Sequence, residues 1–275
     1  MSPKPNRQEE LKLDLSEWPK TLKAMIDSGD SQARSILYSY TEFVKRGEFD
    51  HLEMFVDPNK VCIDIGTNNG QYAMKLATIS KACLCLEPVR ELAYVKKFLP
   101  SNCVHRSVAA GCTPGTAVLR IPKCNDRSDF AQSTLSHDNT LGGSPFDEQV
   151  VEVVTIDQLT SEVFPDEKVG FIKIDVEGFE DAVLEGASRT LEDNFPNLKI
   201  ELHGNNKIEK VCNFLGHIGY RGLFFFEGKI HDEYLFDPEL HRSYKNEYNW
   251  LKRHGLEFDP AKYVCDFFFV PSKRR

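Results

Sequence analysis

Five carboxylates and one imidazole stand at the ends of apolar runs. Asp64 closes VCIDI, Glu87 closes ACLCLE, Asp175 and Glu177 close FIKIDVE, and Glu201 and His203 close NLKIELH. The first acid opens D-x-G-x-x-x-G, Asp64 to Gly70, a spacing that turns the chain sharply and brings backbone close to a ligand. A dinucleotide fingerprint would need glycines at 66, 68 and 71, but Asn68 and Gln71 stand there. A phosphate loop starting at Gly66 would need Gly then Lys at 71 and 72, where the chain has Gln71 and Tyr72. Asp64 would repel an anion and attract an ammonium or sulfonium. Glu87 lies seventeen residues past Gly70, placed to accept hydrogen bonds from a ribose diol. The expected cofactor therefore carries a free ribose and a positive tip, and S-adenosylmethionine has both. The competing reading, two acids that merely cap strand ends, suits either residue alone better than the pair around one glycine-rich turn.

Alternating elements must position these groups. Residues 61–65, 82–88, 103–110, 169–178 and 197–204 are near-continuous apolar runs, as in buried parallel strands. Helical spacing follows at 70–79, 91–98, 179–193 and 207–220. This alternation predicts an α/β fold with a mostly parallel sheet and helices on both faces. Strands are also expected at 116–121, 222–230 and 262–270, the last inserted antiparallel because no helix follows it, with extended chain at 150–157. Between Leu22 and Leu52 the periodicity gives two helices. The division is an N-terminal helical extension over 1–55 and a cofactor-binding domain over 56–275. The Ser-, Asp-, Asn- and Gly-rich stretch 122–149, with Gln132, Ser133, Thr134, Ser136 and His137 near its centre, is long enough to be a lid or a disordered insertion.

DIGTNNGQYA, CLEP, the extended TID and FIKIDVEGFEDAVLEGA together resemble the FkbM family of S-adenosylmethionine-dependent methyltransferases over about residues 60–203. The resemblance implies a class I methyltransferase fold, Rossmann-like with seven strands, and O-methylation of sugar or natural-product hydroxyls. It implies that Asp64, Gly66, Asn68 and Gly70 frame the methionine end, Glu87 holds the ribose, and Ser107 and Val108 lie beside the adenine.

Methyl transfer requires an acceptor oxygen held ~3 Å from the methyl and in line with the leaving sulfur. A positioned base or a metal removes the hydroxyl proton. Strand alternation puts Lys173, Asp175 and Glu177 on one side. Asp175 is expected to touch cofactor or acceptor, and Glu177 to cap the next helix. Glu201 and His203 share a side; His203 is a candidate base, a structural histidine, or with Asp175 and Glu201 a ligand of a divalent cation such as magnesium. His217, Tyr244, Tyr248 and Trp250 could line a sugar pocket.

A net charge of −8 argues against nucleic acid as the partner, leaving a small hydroxyl acceptor, a saccharide, as the expectation. No stretch approaches the ~20 apolar residues of a membrane span, and the first residues lack a secretory apolar core. Of the eight cysteines, Cys62, Cys83, Cys85, Cys212 and Cys265 sit in apolar runs, with no C-x-x-C, as reduced core thiols do. A cytoplasmic protein is the expectation, with N-terminal helices that cover an edge of the sheet or shape the acceptor site, homo-oligomerisation through them being open. The alternatives are a catalytically silent cofactor-binding module and an NAD-dependent enzyme.

Overall fold

The computed structural model describes residues 20–253 and 264–272. The chain opens with α1 (Lys20–Asp27), α2 (Ser31–Lys45) and a single turn, α3 (Leu52–Phe55). Asp30 caps α2 by accepting from the Ala33 N–H at 2.9 Å. An α/β alternation follows: β1 (Val61–Ile65), α4 (Gln71–Ile79), β2 (Ala82–Leu86) and β3 (Cys103–Arg106). The segment Arg90–Lys97 between β2 and β3 winds as a 3-10 helix rather than the expected α-helix.

The middle departs furthest from expectation. The run 103–110 is two strands, because the chain leaves the main sheet after Arg106. Its end, β4 (Ala109–Ala110), joins a second sheet with β5 (Gly115–Cys124), β6 (Arg127–Ser128) and β7 (Phe146–Val154), in the order β4-β7-β5-β6. β5 and β7 pair antiparallel from Gly115↔Val153 to Pro122↔Phe146, so both margins of the expected 122–149 loop are strand. The extended chain expected over 150–157 holds as far as Val154; Thr155 then accepts from the Gln158 N–H and starts α5 (Ile156–Val163), which takes the last two of those residues.

The second half runs β8 (Val169–Ile174), α6 (Glu180–Glu185), α7 (Ser188–Asn194), β9 (Asn197–Glu201), α8 (Asn205–His217), β10 (Tyr220–Phe226), β11 (Lys229–Asp232), α9 (Pro238–Arg253) and β12 (Asp266–Pro271). The single helix expected over 179–193 breaks at Gly186, where a Cβ would come within 2.0 Å of the Gly111 carbonyl oxygen. The strand expected over 222–230 is a hairpin. Glu227 and Gly228 take φ of 48° and 73°, the paired left-handed geometry of a two-residue turn that follows strand twist. Of the strand expected at 262–270, residues 262 and 263 lie outside the described residues.

The main sheet has eight strands rather than seven, in the order β11-β10-β12-β9-β8-β1-β2-β3. β3, β2, β1, β8 and β9 are parallel, and β12 is antiparallel to both neighbours, β9 and β10. The extra strand is the return arm of the hairpin. Side-chain alternation divides the core. Ile63, Ile65, Leu84, Ile172 and Ile200 pack on one face with Leu159, Val183 and Leu215 of the helices. Cys62, Cys83, Cys85 and Phe171 pack on the other, beneath Phe49, Leu52, Tyr72 and Leu76. Ala33 and Ile36 of α2 pack on Met74 of α4 and on Phe98, which seats the N-terminal helices against the sheet's own covering helix. Among the described residues no helix is long and apolar enough to cross a membrane.

Candidate active site

The turn after β1 is built by its own backbone. Gly66 and Thr67 N–H both donate to the Leu86 carbonyl at 3.0 Å, and Gly70 N–H donates to Thr67 at 2.8 Å. Asn68 sits at φ 48°, which presents its N–H to Glu87 Oε2 at 2.8 Å. Gly70, at φ 83°, caps α4. A Cβ at Gly66 would lie 1.9 Å from the Asp175 carbonyl oxygen, so the ends of β1 and β8 meet there at a distance only glycine permits. Asp175 N–H closes the junction by donating to Ile65 at 3.1 Å.

Beneath this turn a row of charges crosses three strands, because Asp64 registers with Lys173 and Lys173 with Lys199. Two lysines side by side in a buried sheet repel each other; here each has its own carboxylate. Lys173 Nζ lies 3.5 Å from Asp64 Oδ1 and 3.1 Å from Asp175 Oδ2, and donates to the Gly66 carbonyl at 3.0 Å. Lys199 pairs with Asp266. The Tyr72 ring covers both ammoniums, at 5.1 Å from Lys173 and 4.8 Å from Lys199. Burial alone would pull Lys173 down, but the Asp175 and Asp64 charges outweigh it and hold the ammonium above its ordinary range. Asp64 is fully buried with Lys173 as its charge partner; burial raises its pKa against the pull of Lys173. It therefore lies under the turn and not among the cavity's lining residues, where the family resemblance puts it beside the methionine end.

Above the row opens a cavity of about 500 Å³. Of the residues the sequence singled out for a cofactor, Gly66, Asn68, Glu87, Val108 and Asp175 line it. Gly70 lies outside the lining and packs toward Val95 and Leu99, and Ser107 is exposed outside it, since the chain turns inward only from Val108. The Glu87 carboxylate accepts from Asn68 N–H on one oxygen and from Val89 N–H, at 2.9 Å, on the other. Each oxygen keeps a second lone pair. Burial pushes this carboxyl up to about 7 against those two hydrogen bonds. An acid beside a left-handed turn, with Leu86, Pro88, Val108 and Leu119 forming an apolar wall, fits a nucleoside.

The opposite wall holds Asp175, Glu177 and Glu201. Glu177 does not cap the following helix, whose N-terminus has no side-chain cap; Glu180 in its first turn reaches back to accept from Gly178 N–H at 2.7 Å. Glu177, at φ 50°, instead faces the cavity, and burial and then the Asp175 charge push it up to about 8. Glu201 is raised first by the Asp175 charge and then by burial. His203 lies outside the lining; its Nε2 meets Glu201 Oε1 at 2.9 Å. Burial would lower the imidazole, but the Glu201 hydrogen bond and the Glu201 and Glu177 charges raise it. Among the described residues no three His, Cys, Asp or Glu side chains converge as metal ligands, Asp175, Glu201 and His203 included.

The remaining walls come from unexpected places. Phe130, Gln132, Ser133 and Leu135 of the 122–149 segment line the cavity. That segment is tied down: Gln132 Nε2 donates to Glu177 Oε1 at 2.8 Å, and Thr134 Oγ1 and Asn139 Nδ2 donate to the Glu177 carbonyl. Tyr38, Ser39, Glu42, Phe43, Arg46 and Glu48 supply the last side. Sequence reasoning gave the N-terminal helices a part at the acceptor site but singled out none of these residues, nor Tyr72 and Lys199, although the four-residue spacing 38, 42, 46 is a helix-face signal. His217, Tyr244 and Trp250 are not among the lining residues, and the Tyr248 side chain lies outside the described residues.

The sequence profile of the Methyltransferase FkbM domain matches residues 64–222. A search of curated proteins returns no match. Among solved structures, the methyltransferase FkbM of Methylobacillus flagellatus is 16% identical with a TM-score of 0.46; the alignment covers 88% of this chain and 55% of that one, so the chain spans about half its length. A precorrin-6y C5,15-methyltransferase of Geobacter metallireducens is 13% identical over 62% of this chain and 69% of its own, with a TM-score of 0.35. An rRNA methylase of Streptococcus thermophilus is 10% identical over 82% and 95%, with a TM-score of 0.39. The profile match spans more than half of the chain, from the acid before the glycine turn to the start of β10, and this chain belongs to the Methyltransferase FkbM domain family.

Proposed function

We propose that this protein transfers a methyl group from S-adenosylmethionine to a hydroxyl of a polar small molecule, a saccharide in the first instance. The observation that carries the reading is the position of the buried Glu87 carboxylate: beside the glycine turn, at one end of a cavity whose other end holds Asp175, Glu177 and Glu201. Glu87 would hold the ribose hydroxyls, the 66–68 backbone the methionine end, and the Val108 wall the adenine. When bound, the cofactor supplies an electrophilic methyl on a positive sulfur. Asp175 and the field of Asp64 favour that charge, and Glu201 takes the acceptor's proton while His203 orients and charges it. The 130–135 wall excludes water from the reacting end.

Calorimetry with S-adenosylhomocysteine and with NAD, followed by transfer from labelled S-adenosylmethionine to a panel of polyols, tests the whole reading. Micromolar binding of the first and none of the second is expected. Tight NAD binding without adenosylhomocysteine binding sinks it.

Two substitutions test the assignments. Glu87→Ala should weaken adenosylhomocysteine binding by about 1–3 kcal/mol, because the diol loses a charged acceptor. Since the carboxyl titrates near 7 and the anion is the better acceptor, affinity should rise about tenfold from pH 6 to pH 8. Glu87→Gln should remove that part of the pH dependence; an unchanged profile takes Glu87 out of the site. His203→Ala should lower turnover at least tenfold with cofactor affinity unchanged, because Glu201 loses its partner. Equal turnover would leave the pair without a role.

A further inference from the structure

The acceptor side of the cavity is closed by a stretch that precedes the family-matched residues. Tyr38, Glu42 and Arg46 form one row at four-residue spacing, on and just past α2, and Ser39 and Phe43 form the adjacent row; all five line the cavity. Chains sharing the 64–222 half need not share this wall. Its charges are not equivalent. Glu42 Oε1 is engaged by Lys45 at 3.3 Å. Glu48 accepts from the Tyr72 hydroxyl at 3.3 Å, and burial, then the Asp266 charge, raises its pKa, which favours the neutral acid. Arg46 is exposed at the cavity and, among the described residues, pairs with no carboxylate; only its backbone N–H is committed, to the Glu42 carbonyl. Deeper in, Lys173 is fully occupied by Asp64, Asp175 and the Gly66 carbonyl. A guanidinium is a planar fork of donors, charged at every physiological pH, and matches carboxylate and phosphate oxygens in pairs.

We infer that the row on α2 selects the acceptor, and that Arg46 selects an acceptor bearing an oxyanion, a carboxylate or a phosphate, at the end remote from the methylated hydroxyl. This rests on the proposed methyl-transfer reading and names the substrate class of the same site. The separation is chemically sensible. The reacting end meets carboxylates, which suit a hydroxyl and repel an anion, so a negative group would be held at the mouth. Tyr38, 68% exposed and two helical turns along the same row, offers a flat face and a hydroxyl to the rest of the acceptor.

The test uses protein saturated with adenosylhomocysteine and three probes: glucose, glucuronate and glucose 6-phosphate, titrated at low salt. At least one anionic sugar should bind ten times or more tighter than glucose, and the comparison of the two arms tells carboxylate from phosphate. The preference should shrink as salt rises, vanish in Arg46→Gln and be partly kept in Arg46→Lys, with adenosylhomocysteine affinity unchanged in both. No binding of any sugar, no charge preference, or a preference that survives Arg46→Gln overturns the inference while leaving the methyltransferase reading intact. If adenosylhomocysteine itself does not bind, both fall.

Discussion

Lys173→Met should cost the fold about 3–5 kcal/mol, because it strips the counter-ion from a carboxylate that is fully buried. Methionine keeps most of the volume, so the loss measures charge rather than a cavity. The pH dependence gives the sign. Without Lys173, Asp64 ionises only well above its unfolded value; its protonated form is the stable one in the native state. Stability that is present below the unfolded pKa of ~3.9 is then lost as pH rises. The penalty should be small in acid and grow toward neutrality in urea unfolding. Asp64→Asn combined with Lys173→Met should recover much of the loss, a coupling that a double-mutant cycle isolates. A single-mutant loss under 1 kcal/mol at pH 7, or no recovery in the pair, would show that the row of charges does not hold the turn. The same substitution removes the bond from Lys173 to the Gly66 carbonyl, so adenosylhomocysteine binding should fall with stability.

Gly66→Ala should be at least as damaging. A φ of 77° costs an L-residue about 1–3 kcal/mol. The larger cost is steric, since the new methyl would meet the Asp175 carbonyl at 1.9 Å, and the obstacle is backbone rather than a side chain that can swing aside. Relief requires β1 and β8 to part at their carboxyl ends, where they exchange the Asp175 N–H to Ile65 bond. The expected outcome is a melting temperature lower by ten degrees or more and no measurable adenosylhomocysteine binding. The cleaner reading comes from Gly228→Ala, a left-handed glycine with nothing within 4 Å of its Cβ position. That variant carries backbone strain alone and should lose only the smaller amount. Similar losses in the two variants would remove the steric argument.

The parts of the fold written in single strong signals were legible. β1, the glycine turn and α4 follow from an apolar run, two glycines and helical periodicity, and they stand where those signals put them. The second sheet was legible only in part: the strand expected at 116–121 lies within β5 and the extended chain from 150 within β7, but their far ends are exposed, and polar alternation there reads as loop as easily as strand. The hairpin at Glu227 and Gly228 was missed although its turn dipeptide was visible; the aromatic runs around it masked the break. In the site, Glu87 and Asp175 could be found because they end strands. Tyr72, Lys199 and the individual residues of the α2 wall could not, since their part depends on which strand lies beside which and on how the N-terminal helices, expected only in general terms near the acceptor, settle. The helix-end role that sequence alone gave Glu177 is not filled by it: its backbone is left-handed and its side chain lines the cavity, held by Gln132.

The place of β12 has a consequence for biosynthesis. It is translated after β10, β11 and α9, yet it lies between β9 and β10 and bonds to both. Until residue 271 has left the ribosome, the hairpin has no neighbour in the main sheet, and the Lys199 ammonium lacks the carboxylate of Asp266. A nascent chain stalled at residue 253 would therefore expose the apolar edge of β9 to chaperones, and a premature stop a few codons before Asp266 should yield protein that is degraded rather than one merely shortened.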